Sequence, residues 1–394
     1  MPGRIAFVPP RFGAGVVGGS EALSQEIAIG LSGRGWDVEI LTTCAVDHYT
    51  WDNALPPGDT TEFGLPVRRF ETAHHLSHVT TEVQRAIEAG SPISLDKQLN
   101  WLSGRFSVPD LFQHLLLHGA AYDAVIFSPY LFWTTTVCMP VVRDRAIVIP
   151  CLHDEGYARL DVIRPVLSDP RAVWFLSEPE HDVAHRLGPV ADHHVVTGAG
   201  VNPPEGYDPA GFCERHGIKR PFALYAGRRE ADKGWDWLQS TFADALALGG
   251  PDLDLVTIGV GKVTVPARLH GRVIDLGFLE DDERDNALAA AQVYLQPSRM
   301  ESFSRSVMEA WLAGTPVLAV KGGEVVAWHC RRSGGGLTFS GPDDLVAGLR
   351  EICETPGRAE DMAARGRDYV LKEYSWPAVL DRMEAELGAS CRHG

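Results

Sequence analysis

Residues 4–43 read RIAFVPPRFGAGVVGGSEALSQEIAIGLSGRGWDVEILTT, and they carry the reading of the fold. The apolar run Ile5–Val8 is followed by a glycine-rich loop, and then by a helical segment, Glu21–Ser32. That helix ends near Gly33 and Gly35 and leads into a second apolar run, Val38–Thr42. Strand, helix and parallel strand in that order make a βαβ unit. Short runs rich in Val, Ile and Phe recur at Val67–Phe70, Ala124–Phe127, Ala146–Ile149, Ala172–Leu176 and His194–Thr197. Such runs, separated by helix-length segments, indicate a parallel sheet covered on both faces.

Around 198–210 the sequence GAGVNPPEGYDPA has the Gly/Pro density of a linker. The alternation then restarts at Phe222–Ala226, Leu253–Gly259, Val273–Asp275, Val293–Gln296, Pro316–Val320 and Gly336–Phe339. The expected fold is therefore α/β, with two Rossmann-like doubly wound domains facing a crevice at the carboxyl ends of their strands. The first domain is expected over residues 1–200 and the second over 201–374. The segment His74–His118 fits neither period and is read as a helical insertion.

Composition narrows the function. The chain has 394 residues, 45% hydrophobic and 22% charged, with a formal net charge of −16. That charge argues against nucleic acid or an anionic bilayer as the main partner, while leaving room for a small anion in a local basic pocket. Seven unclustered cysteines read as reduced thiols of a cytoplasmic protein. The amino terminus does not read as a signal peptide. Ala124–Val142 is uncharged, but Pro129, Pro140 and the run Thr134–Thr136 make it a buried strand, turn and helix rather than a membrane span. His74, His75 and His78 have no carboxylate at useful spacing and read as solvated, so no metal is expected.

Three elements carry chemistry. The loop after the first strand holds Gly13, Gly15, Gly18 and Gly19 before a helix, where backbone can approach a phosphate closely. Without an acidic partner at the end of the second strand, a nicotinamide site is not supported. The second element, AGRREADKGW, follows the first strand of the second half. It places Arg228 and Lys233 ahead of a helix starting near Gly234, two cations and a helix N-terminus suited to a diphosphate. A solvated charge cluster with Glu230 and Asp232 is the alternative. The third element is PSRMESFSRSVMEAWLAGTP, residues 297–316, with Ser304 as N-cap and Gly314 closing the helix. Glu301 before that helix and Glu309 within it can accept paired hydrogen bonds from vicinal hydroxyls of a sugar or ribose. Asp252-Leu-Asp254 matches a metal-binding Asp-x-Asp, but it precedes its strand and reads as solvated loop acids.

Gly-Gly after strand one, Gly-Arg-x4-Lys-Gly, and Glu-x7-Glu before Ala-Gly-Thr-Pro resemble, in order and spacing, the retaining GT-B-fold glycosyltransferases of family 4. The resemblance covers most of the chain. It implies that Gly18 and Gly19 lie beside the donor phosphates and that Arg228 and Lys233 hold the diphosphate. Glu301 with Ser302, Phe303 and Ser304 would meet the donor hexose, and Glu309 the ribose. His153, in PCLHDE, resembles the family's histidine next to the reacting sugar. Catalytic roles thus fall to His153 and Glu301. A carboxy-terminal helix in 375–394 would cross back to the first domain.

Three departures stand out. The family's Gly-Phe-Gly is Ser302-Phe303-Ser304, Gly-Gly-x-x-Glu is shortened to Gly322-Gly323-Glu324, and the 74–118 insertion lies where members diverge for different acceptors. The implied activity moves a hexose-type sugar from a nucleotide-diphosphate sugar to a glycan, lipid-linked or small-molecule hydroxyl, with no metal and no cofactor. A nucleotide-sugar epimerase or hydrolase on the same fold is the alternative, and a non-catalytic sugar-nucleotide sensor is a third reading.

Overall fold

The computed structural model describes residues 3–16, 18–73, 81–104 and 106–390. The chain divides into two compact units, residues 1–200 with 376–394, and residues 201–375.

The first unit holds β1 (Arg4–Val8), β2 (Asp37–Thr43), β3 (Gly58–Glu62), β4 (Leu65–Phe70), β5 (Ala124–Phe127), β6 (Ala146–Val148), β7 (Ala172–Phe175) and β8 (His194–Val196). They form one sheet in the order β3-β4-β2-β1-β5-β6-β7-β8. Every pairing is parallel except the β3–β4 hairpin. The central strands are buried along their length, as a sheet covered on both faces requires. β3 was not read from the sequence: its residues GDTTE are polar and largely exposed, so an edge strand here carries no hydrophobic period.

Of the 74–118 insertion, His74, His75 and His78 lie outside the described residues. The remainder is helical at Thr81–Glu88, Leu95–Gly104 and Pro109–His118. Ile87, Trp101, Leu102, Leu111 and Leu115 from these helices join the first unit's core, beside Trp51 and Tyr130. The carboxy-terminal helix Trp376–Ser390 belongs to this unit and is fixed from several sides. Arg34 bonds to Asp381 and Glu384, the Trp36 indole donates to Glu384 at 2.9 Å, and Trp376 lies against Gly200. Among the described residues no helix is long and apolar enough to cross a membrane.

The second unit holds β9 (Phe222–Ala226), β10 (Asp254–Ile258), β11 (Val273–Asp275), β12 (Val293–Gln296), β13 (Val317–Val320) and β14 (Gly336–Phe339). All are parallel, in the order β11-β10-β9-β12-β13-β14. Strand order reverses between β9 and β12, as it does between β1 and β5 in the first unit. At such switch points the crossovers leave to opposite sides, and the carboxyl ends of the two strands open a ligand crevice.

Candidate functional site

The second unit gathers most of the sequence-selected residues at its switch point. β9 ends at Ala226, and the turn after it carries Gly227, Arg228 and Arg229. The buried Tyr225 phenol donates to the Arg228 carbonyl at 2.6 Å, which fixes this turn. Burial, with Glu301 nearby, holds that phenol well above its usual titration range.

The two arginines have separate fates. Arg229 has a side chain only 1% exposed and is tied to Asp275 at 2.5 Å and to the Gly259 carbonyl, so it braces β9 against β10 and β11. Arg228 points outward, 46% exposed, against Glu230 at 2.9 Å. The alternative reading of a charge cluster is thus met in part: Arg228 has an acidic neighbour from its own loop. An exposed pair of this kind is worth little, so it can be exchanged for a ligand anion.

Lys233 closes the same loop, and Gly234 starts the helix Trp235–Ala247 with φ +74°. A Cβ on Gly234 would stand 2.7 Å from the Pro297 carbonyl, so glycine is what lets this loop lie against the one after β12. That contact brings Lys233 Nζ to 2.9 Å from Glu301 Oε1, with both side chains mostly sheltered from solvent.

After Glu301 the chain passes Ser302, which is half-buried, and Phe303. The Phe303 ring is 3% exposed and packs edge-on against His329 and Tyr374. A ligand contact at that position therefore falls to its backbone. Ser304 differs from the expected N-cap. It sits at the cap position of the helix Arg305–Leu312, but with φ +69° and without a capping bond. A capping side chain needs extended backbone. In the left-handed turn the Ser304 hydroxyl instead accepts from the buried Gln296 amide at 2.9 Å. The family's glycine at this place is accounted for by the same positive φ.

Glu309 projects from that helix, and Arg284 Nη2 stands 3.7 Å from it. Arg284 also reaches Asp285 at 3.2 Å and Asp281 at 2.7 Å. Arg284 and Asp285 lie in the polar helix Asp281–Ala290, whose sequence gives no sign of a site. Burial, with Glu309 beside it, raises the Asp285 carboxyl even against the Arg284 cation. Glu324 is the first residue of the helix Glu324–Ser333, behind Gly323 at its cap.

The Asp-x-Asp reading needs correcting in its detail. Asp254 opens β10 and is buried, 3.0 Å from Arg272 and 3.3 Å from Arg220, while Asp252 bonds Arg272 at 2.7 Å. These acids are ion-paired rather than simply solvated. They sit at the amino end of the sheet.

In the first unit, the loop after β1 is held by a buried pair that the sequence reading did not select. Arg11 and Glu21, each with a side chain 6% exposed, are ion-paired, and Arg11 Nη1 donates to the Val46 carbonyl at 2.7 Å. A Cβ on Gly18 would come 2.2 Å from Glu21 Oε2, whereas one on Gly19 would meet nothing within 4 Å. A side chain at Gly18 would thus push on the Glu21 carboxylate where it pairs with Arg11. Gly19 leaves open space at the start of the helix Gly19–Gly33.

His153 follows β6 after a turn in which Cys151 has φ +50°. Its Nδ1 lies 3.6 Å from Glu155 Oε1, and the buried Tyr130 phenol donates to that same oxygen at 2.8 Å. Glu180 fixes the turn from behind. Its two carboxyl oxygens accept from the Leu152 and Leu176 amides, both at 2.5 Å. Burial pushes this carboxyl up to about 8, against the backbone amides of Leu176, Leu152 and Ser177 that favour its charged form. Glu180 and Tyr130 were not singled out in the sequence. The signal available was the capping-box spacing Ser177-x-x-Glu180, and Ser177 does cap the helix Glu178–Leu187.

Known proteins resemble this chain in sequence and in fold. Residues 220–355 match the family model described as Glycosyl transferases group 1. A GDP-mannose-dependent monoacylated alpha-(1-6)-phosphatidylinositol monomannoside mannosyltransferase of Corynebacterium glutamicum is 29% identical over 38% of this chain and 42% of its own length. A 2-deoxystreptamine glucosyltransferase of Streptomyces kanamyceticus is 32% identical over 43% of this chain and 49% of its own. These matches span under half the length of the curated relatives. Among solved structures, sucrose-phosphate synthase from Thermosynechococcus elongatus superposes with a TM-score of 0.71 at 18% identity, covering 97% of this chain and 98% of that one. Anabaena HepE in complex with UDP and glucose gives 0.69 at 16% identity, covering 98% of this chain and all 100% of that one. The chain thus has the GT-B fold, and its residues 220–355 match the glycosyl transferases group 1 family.

Proposed function

We propose that the chain is a retaining glycosyltransferase that moves a hexose from a nucleotide-diphosphate sugar to the hydroxyl of a glycan, lipid-linked or small-molecule acceptor, without a metal ion. The observation that carries this reading is the Lys233–Glu301 contact at the adjoining carboxyl ends of β9 and β12, with Arg228 on the same loop as Lys233. A cation and a carboxylate side by side suit a ligand that is anionic at one end and hydroxylated at the other. The relatives support the class: one uses GDP-mannose by its name, and the HepE structure holds UDP and glucose.

In this reading Arg228, Lys233 and the N-terminus of the helix Trp235–Ala247 receive the two phosphates as the diphosphate departs. Glu309 accepts from the ribose hydroxyls, and Glu301 from the hexose. Because the Asp252–Asp254 pair is engaged by Arg272 at the amino end of the sheet, it supplies no oxygen cluster for an ion at the phosphates. His153, with the Glu155 carboxylate 3.6 Å from its Nδ1, is assigned to the transfer step by resemblance. With no carboxylate assigned as nucleophile, the acceptor attacks from the face the diphosphate leaves, and the departing phosphate takes its proton.

The test is a thermal-shift screen against UDP, GDP, ADP and dTDP sugars, followed by product analysis with and without an acceptor alcohol. Acceptor-dependent formation of an α-glycoside from an α-donor after exhaustive chelation supports the reading. Full turnover of donor alone would indicate an epimerase or hydrolase, and loss of turnover on chelation at an unchanged thermal midpoint would remove the metal-free assignment.

A further inference from the structure

Three imidazoles meet in the first unit, and none of them is a residue assigned above to donor or transfer. His181 and His185 are one turn apart on the helix Glu178–Leu187, and β8 brings His194 beside them. One ring nitrogen from each lies within 4.8 Å of the others, and the Nε2 atoms of His181 and His185 are 3.0 Å apart.

The outer nitrogens define where the protons are. His194 Nδ1 stands 2.8 Å from the Ala191 carbonyl, which can only accept, so the proton is on Nδ1 and Nε2 carries a lone pair. His181 Nδ1 stands 3.3 Å from the Asp182 carboxylate, with the same consequence. The proton between His181 and His185 therefore belongs to His185 Nε2. Imidazoles whose far N–H is bound to a carbonyl or a carboxylate are the usual supporting arrangement behind a metal ligand. Nitrogens bound to a tetrahedral ion at about 2.0–2.1 Å stand about 3.3 Å apart, a few tenths of an ångström from the His181–His185 spacing. Exposed His185 can turn and shift its proton to Nδ1, so the ion replaces a shared proton with no net charge taken from the protein. Phe175 packs edge-on behind His181 at 5.4 Å and keeps the ring in place.

We propose that His181, His185 and His194 form a three-imidazole site for a divalent transition ion, of which Zn²⁺ is the best matched, with a fourth position open to solvent. The ion would join the helix Glu178–Leu187 to β8 and stabilise the first unit. It has no part in the diphosphate chemistry proposed for residues 228–309.

The experiment uses the full chain purified without a histidine tag and stripped with chelator. Zn²⁺ is titrated by calorimetry, and the bound ion is read by X-ray absorption. One ion per chain in a shell of imidazole nitrogens is expected, together with a raised thermal midpoint. His185→Ala and His194→Ala each lower affinity by at least ~10-fold. His193→Ala, whose imidazole bonds Glu386 at 2.6 Å instead, retains it. Because His185 is exposed, His185→Gln keeps the fold and repeats the test without a cavity. Absence of stoichiometric binding, a sulfur-containing shell, or binding unaffected by the His185 and His194 variants overturns the proposal.

Discussion

Lys233 and Glu301 are 68 residues apart in sequence, yet the Lys233 ammonium donates to the Glu301 carboxylate at 2.9 Å. The contact exists because β9 and β12 are neighbours in the sheet and Gly234 lets their following loops touch. Each group thereby holds the other in a defined place before any ligand arrives.

Lys233→Ala is expected to lower turnover by about 10²–10³, the cost of losing one fixed donor to developing charge. Lys233→Arg recovers only part, since the bulkier planar guanidinium presents its charge and donors in a different geometry from the compact ammonium. Steady-state product assays in chelator check this; near-wild-type turnover of Lys233→Ala would release the residue from the diphosphate.

Glu309→Gln is expected to raise KM for the donor more than it lowers kcat, because a ribose contact is similar in ground and transition states. Arg284→Ala should weaken nucleotide binding as well, by freeing the Glu309 and Asp285 carboxylates to repel the ligand. Calorimetry with nucleoside diphosphates reads both, and unchanged affinity in Glu309→Gln would take Glu309 out of the site.

Glu180→Gln places an amide NH₂ against the Leu152 or Leu176 amide, donor against donor. A loss of about 1–3 kcal/mol is expected, together with slower transfer at unchanged nucleotide affinity, since the Leu152–His153 turn loosens. The pH dependence has a definite sign. Burial raises the folded Glu180 to about 8 against an ordinary value of 4.5, so the folded state binds more protons between those values. Its contribution to stability is greatest at the acid end, falls as pH rises through that window by at most about 1.4 kcal/mol per pH unit, and is level above it. Urea melts of wild type and Glu180→Gln at several pH values between 5 and 9 should show their difference narrowing as pH rises.

Gly18→Ala forces a Cβ into the Glu21 carboxylate and is expected to destabilise by about 1–3 kcal/mol through the buried Arg11–Glu21 pair. Gly19→Ala meets open space and should leave stability within about 0.5 kcal/mol while reducing turnover with donor. Equal stability and equal turnover in Gly19→Ala would mean that no ligand approaches this backbone.

The repeating apolar runs decided the α/β class and the parallel strands, because a strand buried on both faces must be continuously apolar. Spacing also located Arg228, Lys233 and Glu301 between a strand and the helix that follows it, and Glu309 inside such a helix. What the sequence could not carry depends on partners distant in the chain. β3 has no apolar period because it lies exposed at the sheet edge. Arg229 and Arg228 are the same residue type side by side, and only the packing of β10 and β11 makes one a buried brace and leaves the other exposed beside Glu230. Ser304 had a capping residue's identity, but a left-handed turn sent its hydroxyl to Gln296. Glu180 carries only a capping-box spacing in the sequence, and its bonds to the Leu152 and Leu176 amides arise only once the segments after β6 and β7 lie side by side. Local periodicity reports which face of an element is buried. Which charged group is spent on structure is settled by what the fold places against it, and that is a property of tertiary contacts alone.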